Sequence, residues 1–180
     1  MSQVWCAFLC GVNVGKRQMK MAELQAAMEA AGFGEIKTVL ASGNVRFSAE
    51  EAPDAVKARL EELIAERFGF PVTVILRSLD EVEAMLAAHP FGSLNPGAEL
   101  TRHVILFEHA LPNDVALDGR PGDTEILRID PRELYLAGYR QSNGRYTEHV
   151  EEVLAPLYKR LSKDNTGTMR NWNTMEKMLR

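Results

Sequence analysis

The chain has 180 residues, of which 46% are hydrophobic and 26% are charged, with a net charge of −4. This composition is typical of a folded globular protein, and no apolar run approaches the roughly 20 residues of a membrane-spanning helix, so we expect no membrane partner. The net charge is +2 over residues 1–46, −8 over residues 47–119 and +2 over residues 120–180. This distribution excludes the uniformly basic surface of a dedicated nucleic-acid binder.

The first predicted element is an apolar strand at Val4–Cys10. No basic residues precede it, as they would in a signal peptide. Cys6 and Cys10 would lie about 13 Å apart on a strand that rises 3.3 Å per residue, which is too far for a disulfide. We therefore expect reduced thiols and a cytoplasmic protein.

Both faces of this first strand are apolar, since Cys6 and Phe8 alternate with Trp5 and Ala7. A sheet that is covered on both faces offers no free platform for stacking RNA bases, which argues against nucleic-acid binding. The second face is expected to pack against the other half of the chain or against the partner subunit of a homodimer.

Five further elements complete residues 1–77 in the order helix, strand, strand, helix, strand. The first helix ends at Gly32, and the second begins at Pro53 and ends at Gly69, following the usual cap preferences. The order β-α-β-β-α-β is that of the ferredoxin-like unit. The predicted segments are Met21–Ala31, Thr38–Leu40, Val45–Phe47, Pro53–Phe68 and Val72–Leu76.

Residues 78–100 are predicted to connect two halves. Ser78 and Glu81 have the spacing of a capping box at the start of a connecting helix, which Pro90 would end. The segment Pro90–Leu100 is rich in turn formers and is expected to be a linker.

Residues 101–180 repeat the same pattern of elements, although the two halves share no obvious sequence repeat. We therefore predict an α+β fold of two ferredoxin-like (α-β plait) halves, a connecting helix and a C-terminal helix. The predicted segments of the second half are a strand at His103–Phe107, a short helix after Pro112, strands at Ile126–Ile129 and Leu134–Ala137, a helix from Thr147, a strand near Thr166–Met169 and a helical tail at Asn173–Arg180.

Three loops of the first half are expected to meet at one end of the sheet, which we call the first edge: Gly11–Lys16, Ser42–Asn44 and Gly69–Pro71. Lys16, Arg17 and Lys20 crowd the start of the first helix, where cations face the positive end of the helix dipole. A bound anion would convert that repulsion into attraction. The alternative is that these side chains are solvated and the glycines serve only a tight turn. The candidate ligand-binding residues here are Gly11, Asn13, Gly15, Lys16, Arg17, Lys20, Ser42, Gly43 and Asn44.

This loop is not a nucleotide-hydrolysing P-loop. Three residues separate Gly11 from Gly15 where that motif has four, and Arg17 occupies the position of the hydroxyl residue that holds magnesium. The four histidines and two cysteines show no metal-ligand spacing either, so we predict no metal site.

The second half is expected to have an equivalent end, the second edge, where the loop Arg140–Thr147 meets the end of the last strand at Arg170–Thr174. Arginine, amide and indole groups can all make oriented contacts with a ligand. Asparagine caps and a buried tryptophan explain the same residues as domain closure. The candidate ligand-binding residues here are Gly144, Arg145, Arg170, Asn171, Trp172 and Asn173.

Several motifs occur in the order found in the bacterial family called domain of unknown function 1697, which the chain resembles over essentially its whole length. The resemblance implies two α-β-plait-like halves and no particular activity or cofactor. The motifs are the loop at Gly11–Lys16, SGNV at 42–45, ERFGF at 66–70, HPF at 89–91 and RNWNT at 170–174.

Two loops depart from the pattern of that family. Its members typically begin RGINVGG, whereas this chain has Cys10 for the arginine and Lys16 for the final glycine. The later loop usually reads GRSKLT, whereas this chain keeps Gly144 and Arg145 but continues with Tyr146 and Thr147. An anion held by the missing Arg or Lys would be bound differently here.

The leading hypothesis from sequence is therefore a protein that binds a small anionic, phosphate-bearing ligand, without an identified catalytic apparatus. The alternatives are an interaction protein that acts through a homo-oligomer interface, and an enzyme of unknown reaction that uses Arg145, Arg170 and a carboxylate that the sequence does not identify.

Overall fold

The computed structural model describes residues 1–180, which form five helices and two four-stranded antiparallel sheets. The mixed α/β class is as expected. The chain divides into two compact units, one made of Met1–Ala84 with Thr174–Arg180 and the other of Met85–Asn173. The division into residues 1–77, 78–100 and 101–180 stays a prediction. None of the five helices is both long enough and apolar enough to cross a bilayer.

The first unit contains one sheet with the strand order β2-β3-β1-β4. Its second strand lies earlier than predicted, because Val39 and Leu40 leave the sheet to form the turn and Leu40 has a left-handed φ of +59°. The elements are β1 at Gln3–Leu9, α1 at Met21–Ala30, β2 at Gly34–Thr38, β3 at Asn44–Ala49, α2 at Pro53–Phe68 and β4 at Val74–Ser78.

The predicted glycine caps end both helices of this unit. Gly32 follows α1 with a φ of +90°, and the Phe33 N–H donates to the Met28 carbonyl at 3.1 Å, which is the hydrogen bond of a Schellman motif. Gly69 ends α2 with a φ of +79°. The apolar faces of the two helices cover the side of the sheet that carries Trp5, Ala7 and Leu9. The buried helical residues are Leu24, Met28, Val56, Leu60 and Ile64.

The opposite face of the first sheet is also buried, since Cys6 and Phe8 are both 0% exposed. Cys6 lies there beside its cross-strand neighbour Arg46, whose guanidinium donates to the Met178 carbonyl at 3.0 Å near the C-terminus. Burial raises the pKa of the Cys6 thiol to about 12, with Arg46 lowering and Glu83 raising it, so the thiol stays protonated at neutral pH. The apolar second face is therefore accounted for without a partner subunit, and the homodimer remains a prediction without its original support.

The predicted capping box at the end of β4 is present. It starts helix α3, which spans Leu79–Ala87. Ser78 Oγ accepts from the Glu81 N–H at 3.1 Å, and Glu81 Oε2 accepts from the Ser78 N–H at 2.7 Å. These two hydrogen bonds satisfy backbone donors that the first turn of a helix cannot pair.

Replacing Ser78 with alanine is expected to lower the free energy of unfolding by about 1 kcal/mol, because it removes one of these acceptors. Urea unfolding monitored by circular dichroism measures the change. Ser142→Ala serves as the matched control, since Ser142 is an exposed serine in a loop. Equal effects of the two substitutions would contradict the capping role of Ser78.

The second unit has the strand order β6-β7-β5-β8, which matches the order in the first sheet position by position. Its helix α4 begins three residues later than predicted, at Val150, because Thr147 has a left-handed φ of +60°. The elements are β5 at Leu100–Phe107, β6 at Thr124–Ile129, β7 at Glu133–Tyr139, α4 at Val150–Tyr158 and β8 at Gly167–Asn171, and α5 follows at Trp172–Met178.

The prediction of a short helix after Pro112 is wrong, because residues 108–123 contain no helix. The Leu111 N–H donates to the Pro131 carbonyl at 2.7 Å, and Val115 and Leu117 pack against the core from a loop. Their alternate spacing suits an extended segment, whereas a helix would place them on different faces. The second unit therefore has the order β-β-β-α-β instead of the predicted β-α-β-β-α-β.

A sequence repeat that the sequence analysis missed becomes visible when the two sheets are compared. Residues 77–86 read RSLDEVEAML and residues 170–179 read RNWNTMEKML, so Arg, Glu, Met and Leu recur at the same spacing. Arg77 and Arg170 each occupy the fourth position of the last strand of their sheet, and they are only 1% and 7% exposed. This correspondence supports the predicted duplication of architecture.

Candidate functional site

The three loops of the first edge meet as predicted. The Leu9 N–H donates to the Gly43 carbonyl at 2.8 Å, and the Cys10 N–H donates to the Thr73 carbonyl at 3.0 Å. Strand β1 thus ends between the β2–β3 turn and the segment that leads into β4. The sheet order places these three segments side by side, since β3 and β4 flank β1.

Asn13 holds the first loop in place through both ends of its amide. Its Nδ2 donates to the Ala41 carbonyl at 2.7 Å, and its Oδ1 accepts from the Met19 N–H at 2.7 Å. Asparagine tolerates the left-handed φ of +53° at this position. Asn13 therefore positions the loop, and its side chain is already occupied by these two contacts.

The Ser42-Gly43-Asn44 turn is also built for structure. Asn44 is fully buried and donates from Nδ2 to the Val39 carbonyl at 2.9 Å and to Ser42 Oγ at 2.8 Å. Gly43 has a φ of +85°, and a Cβ at this position would lie 2.6 Å from Val12 Cγ2. The close approach of Val12 explains why glycine occurs at the centre of this turn.

The three cations of the first edge differ in what they contact. The Arg17 guanidinium donates to the Pro71 carbonyl at 3.5 Å and lies 5.3 Å from the centre of the Phe70 ring, so Arg17 braces the third loop. Lys16 and Lys20 are exposed, and their ammonium groups have no hydrogen-bond or ion-pair partner. Lys20 directly precedes α1, whose start has no side-chain cap.

The backbone of the first loop has a geometry that suits anions. Gly11, Asn13 and Gly15 have φ values of +72°, +53° and +61°, while the two valines between them do not have positive φ. Positive and negative φ thus alternate along this loop, and in other proteins backbone that alternates between left- and right-handed conformations forms concave sites that bind anions. The uncapped start of α1 lies next along the chain and adds further free N–H groups.

At the second edge, the two predicted segments have different surroundings. The Arg140–Thr147 loop is closed by the Gln141 N–H, which donates to the Arg145 carbonyl at 2.7 Å, and Gly144 has a φ of +84°. Arg145 is exposed, and its guanidinium has no partner.

Each residue of the 170–173 segment has a structural partner within the second unit. Arg170 is buried and donates to Thr168 Oγ1 at 2.5 Å. Asn171 Oδ1 accepts from the Asn173 N–H at 2.9 Å as a helix cap, and Asn173 Oδ1 accepts from Arg102 at 3.0 Å. The buried Trp172 ring lies 5.1 Å from the Phe91 ring, in a T-shaped pair. Asparagine caps and a buried tryptophan, the alternative to ligand binding at this segment, thus explain its four residues.

Asp123, which no sequence pattern indicated as a site residue, is a carboxylate that is 3% exposed and directly precedes β6. Its Oδ2 accepts from the Glu148 N–H at 2.8 Å and lies 3.2 Å from His149 Nδ1. Its Oδ1 accepts from the His149 N–H at 3.1 Å and from Thr124 Oγ1 at 2.8 Å. Twenty-five residues separate Asp123 from Glu148, and the PGDT sequence indicates only a turn, so no local pattern could identify the pair.

The environment of Asp123 keeps it ionised. Burial by itself would raise the pKa of this carboxyl group, but the hydrogen bonds from the Glu148 N–H, from Thr124 and from His149 lower its pKa to about 2. A carboxylate that accepts several hydrogen bonds in its charged form behaves in this way.

The first unit has a cavity away from the first edge, whereas the second unit has a cavity beside Asp123. A cavity of 560 Å³ in the first unit, lined by Gly32, Ser48 and Arg59 among others, includes no residue of the first edge. A cavity of 440 Å³ in the second unit is lined by Arg120, Gly122, Thr124 and Tyr139 among others, so it directly flanks Asp123.

Comparison with known proteins gives a family and a fold. The conserved bacterial protein SP0830 from Streptococcus pneumoniae is similar in structure, with a TM-score of 0.70 and 18% sequence identity, over 99% of this chain and 97% of the other. No curated protein matches the chain significantly. The model of the family described as protein of unknown function, DUF1697, matches residues 1–135, a range that includes the first edge but not the RNWNT segment. The chain therefore belongs to the DUF1697 family.

Proposed function

We propose that this protein binds a small anionic, phosphate-bearing ligand at the first edge. The observation that carries the proposal is the pair of exposed lysines, Lys16 and Lys20, whose side chains have no partner in the chain and which precede an uncapped helix start. Without a ligand, cations at this position repel the positive end of the helix dipole. A phosphate would pair with both lysines and accept from the free N–H groups.

Two further features support the same proposal. The alternating φ of Gly11, Asn13 and Gly15 resembles that of anion-binding loops. Asn13 and Arg17 fix this loop to its neighbours through Ala41 and Pro71. A loop that is already held in position loses less conformational entropy when a ligand binds.

The test is calorimetry and thermal shift with inorganic phosphate, AMP and a panel of phosphate metabolites. We expect at least one compound to raise the melting temperature, and the Lys16→Ala, Lys20→Ala double variant to bind it about tenfold more weakly. The double variant Lys159→Ala, Lys163→Ala is the matched control, because both lysines are exposed and lie in the second unit. No shift for any compound, or equal binding by both double variants, would refute the proposal.

We further propose that the first unit is a ferredoxin-like α-β plait and that the second is a plait that lacks its first helix. The strand orders β2-β3-β1-β4 and β6-β7-β5-β8 support this reading. We also propose a cytoplasmic location, which is supported by the two cysteines, since neither forms a disulfide.

A further inference from the structure

We propose that Asp123 and His149 form a general-base dyad at the second edge, which hydrolyses esters that bear an anionic group. This activity is separate from the anion binding proposed for the first edge. It supplies the carboxylate that the sequence analysis could not identify for an enzyme using Arg145.

The dyad has the geometry of a base and the group that orients it. Asp123 Oδ2 lies 3.2 Å from His149 Nδ1, and Asp123 is itself fixed by the Glu148 N–H and by Thr124 Oγ1. A neutral imidazole that donates from Nδ1 presents Nε2 as a proton acceptor. Nε2 has no hydrogen-bond partner in the chain, and the His149 side chain is 29% exposed.

Holding the chain in place before α4 does not by itself require this side-chain contact. Asp123 already accepts from the backbone N–H groups of Glu148 and His149, the two residues that precede α4. The contact with Nδ1 is an additional one that fixes the ring. His109 provides the contrast: its Nε2 lies 3.8 Å from Glu108 and 4.0 Å from Asp164, beyond hydrogen-bond distance, and its side chain is 53% exposed.

The surroundings of the dyad fit an anionic substrate. Asn143 donates to Glu148, the neighbour of His149 in the chain, and accepts from the Arg145 N–H at 2.9 Å. The loop that carries Arg145 is thus tied to the start of α4, and its guanidinium has no partner in the chain. A 440 Å³ cavity lies close to the dyad in the fold, since Gly122 and Thr124, the chain neighbours of Asp123, line it.

In the proposed reaction, His149 Nε2 takes one proton from a water molecule while the water oxygen bonds to the ester carbonyl carbon. The bond from that carbon to the alcohol oxygen then breaks, and the departing alkoxide takes the proton from Nε2. One acid and one alcohol result, and the imidazole returns to its neutral form. His149 is the catalytic residue, Asp123 is a positioning residue, and Arg145 pairs with the anionic group of the substrate.

The test measures hydrolysis of p-nitrophenyl acetate and of its carboxylate-bearing analogue by the purified full-length chain. We expect His149→Gln to lower the buffer-corrected rate with both esters by about a hundredfold, as for the loss of a general base. Asp123→Asn should also lower both rates. The asparagine amide can donate to Nδ1, which keeps the imidazole in place but leaves its proton on Nε2, so Nε2 no longer accepts a proton. Arg145→Ala should slow only the carboxylate-bearing ester, by about threefold.

His109→Gln is the matched control and should hydrolyse both esters at the parent rate. Nitrogen NMR of His149 gives a second readout, and we expect the proton on Nδ1 in the parent and on Nε2 in Asp123→Asn, provided that circular dichroism shows the variant to be folded. A His149→Gln rate within about twofold of the parent, equal losses in His109→Gln, or a parent His149 with its proton on Nε2 would overturn the proposal.

Discussion

Replacement of Gly43 by alanine is expected to lower the free energy of unfolding by about 3 kcal/mol. Part of this cost comes from the left-handed backbone, since a φ of +85° disfavours any residue with a Cβ by about 1–2 kcal/mol. The remainder, about 1–3 kcal/mol, comes from overpacking, because the new Cβ would lie 2.6 Å from Val12 Cγ2 and 3.0 Å from Leu9 Cβ. Urea unfolding at neutral pH measures the sum.

Gly15→Ala separates these two costs. Gly15 has a left-handed φ of +61°, but a Cβ there would have no atom within 4 Å. Its replacement should therefore cost only the backbone part, about 1 kcal/mol. A second variant, Val12→Ala in the Gly43→Ala background, should recover part of the overpacking cost. If both substitutions lower the free energy of unfolding equally, the atoms around Gly43 are not packed as closely as the 2.6 Å approach of Val12 indicates.

Asp123→Asn is expected to lower the free energy of unfolding by about 2 kcal/mol at neutral pH. The estimate follows from the pKa of Asp123, which is lowered from 3.8 to about 2 in the folded chain. The substitution removes the charge that accepts from Glu148, His149 and Thr124. It also places an amide donor where the start of α4 presents N–H groups.

The pH dependence of this effect has a definite sign. Because folding lowers the pKa of Asp123, the folded state binds this proton less tightly than the unfolded state does. The stabilisation is therefore complete above about pH 4 and is lost as the pH falls towards about 2. The difference in unfolding free energy between the parent and Asp123→Asn should shrink as the pH falls below about 4.

Asp118→Asn is the matched control for this titration, because Asp118 is exposed and lies in a loop of the second unit. Its removal should leave the free energy of unfolding unchanged at neutral pH. Urea unfolding of the three proteins at several pH values gives the comparison. A parent–Asp123→Asn difference that does not depend on pH would show that the Asp123 carboxylate is not stabilised by its hydrogen bonds.

Local patterns predicted much of this structure because the physics behind them is local. Gly32 and Gly69 end helices for a reason that involves only their own φ, and Ser78 and Glu81 satisfy donors within one helical turn. The short helix after Pro112 was predicted wrongly, since the packing of Leu111, Val115 and Leu117 against a sheet outweighs their local preference. The ends of β2 and α4 also shifted by a few residues, at left-handed positions that the sequence does not mark.

The candidate sites also combine features that the local sequence indicates with features that depend on contacts between distant residues. The sequence placed Lys16 and Lys20 beside the first helix, but it could not distinguish them from Arg17, because the contacts of Arg17 with Phe70 and Pro71 span more than fifty residues. Arg170 was predicted to face a ligand, yet Thr168 and the protein interior hold it.

The sequence by itself determined the mixed α/β class, the helix caps, the meeting of three loops at the first edge and the membership of the DUF1697 family. These follow from hydrophobic periodicity, cap chemistry and motif order, all of which can be read from residues near one another in the chain. Only the tertiary structure decided what covers the second face of β1 and which carboxylate holds His149. Both depend on pairing between distant segments, since Arg46 reaches Met178 and Asp123 reaches α4 only after the sheets have formed.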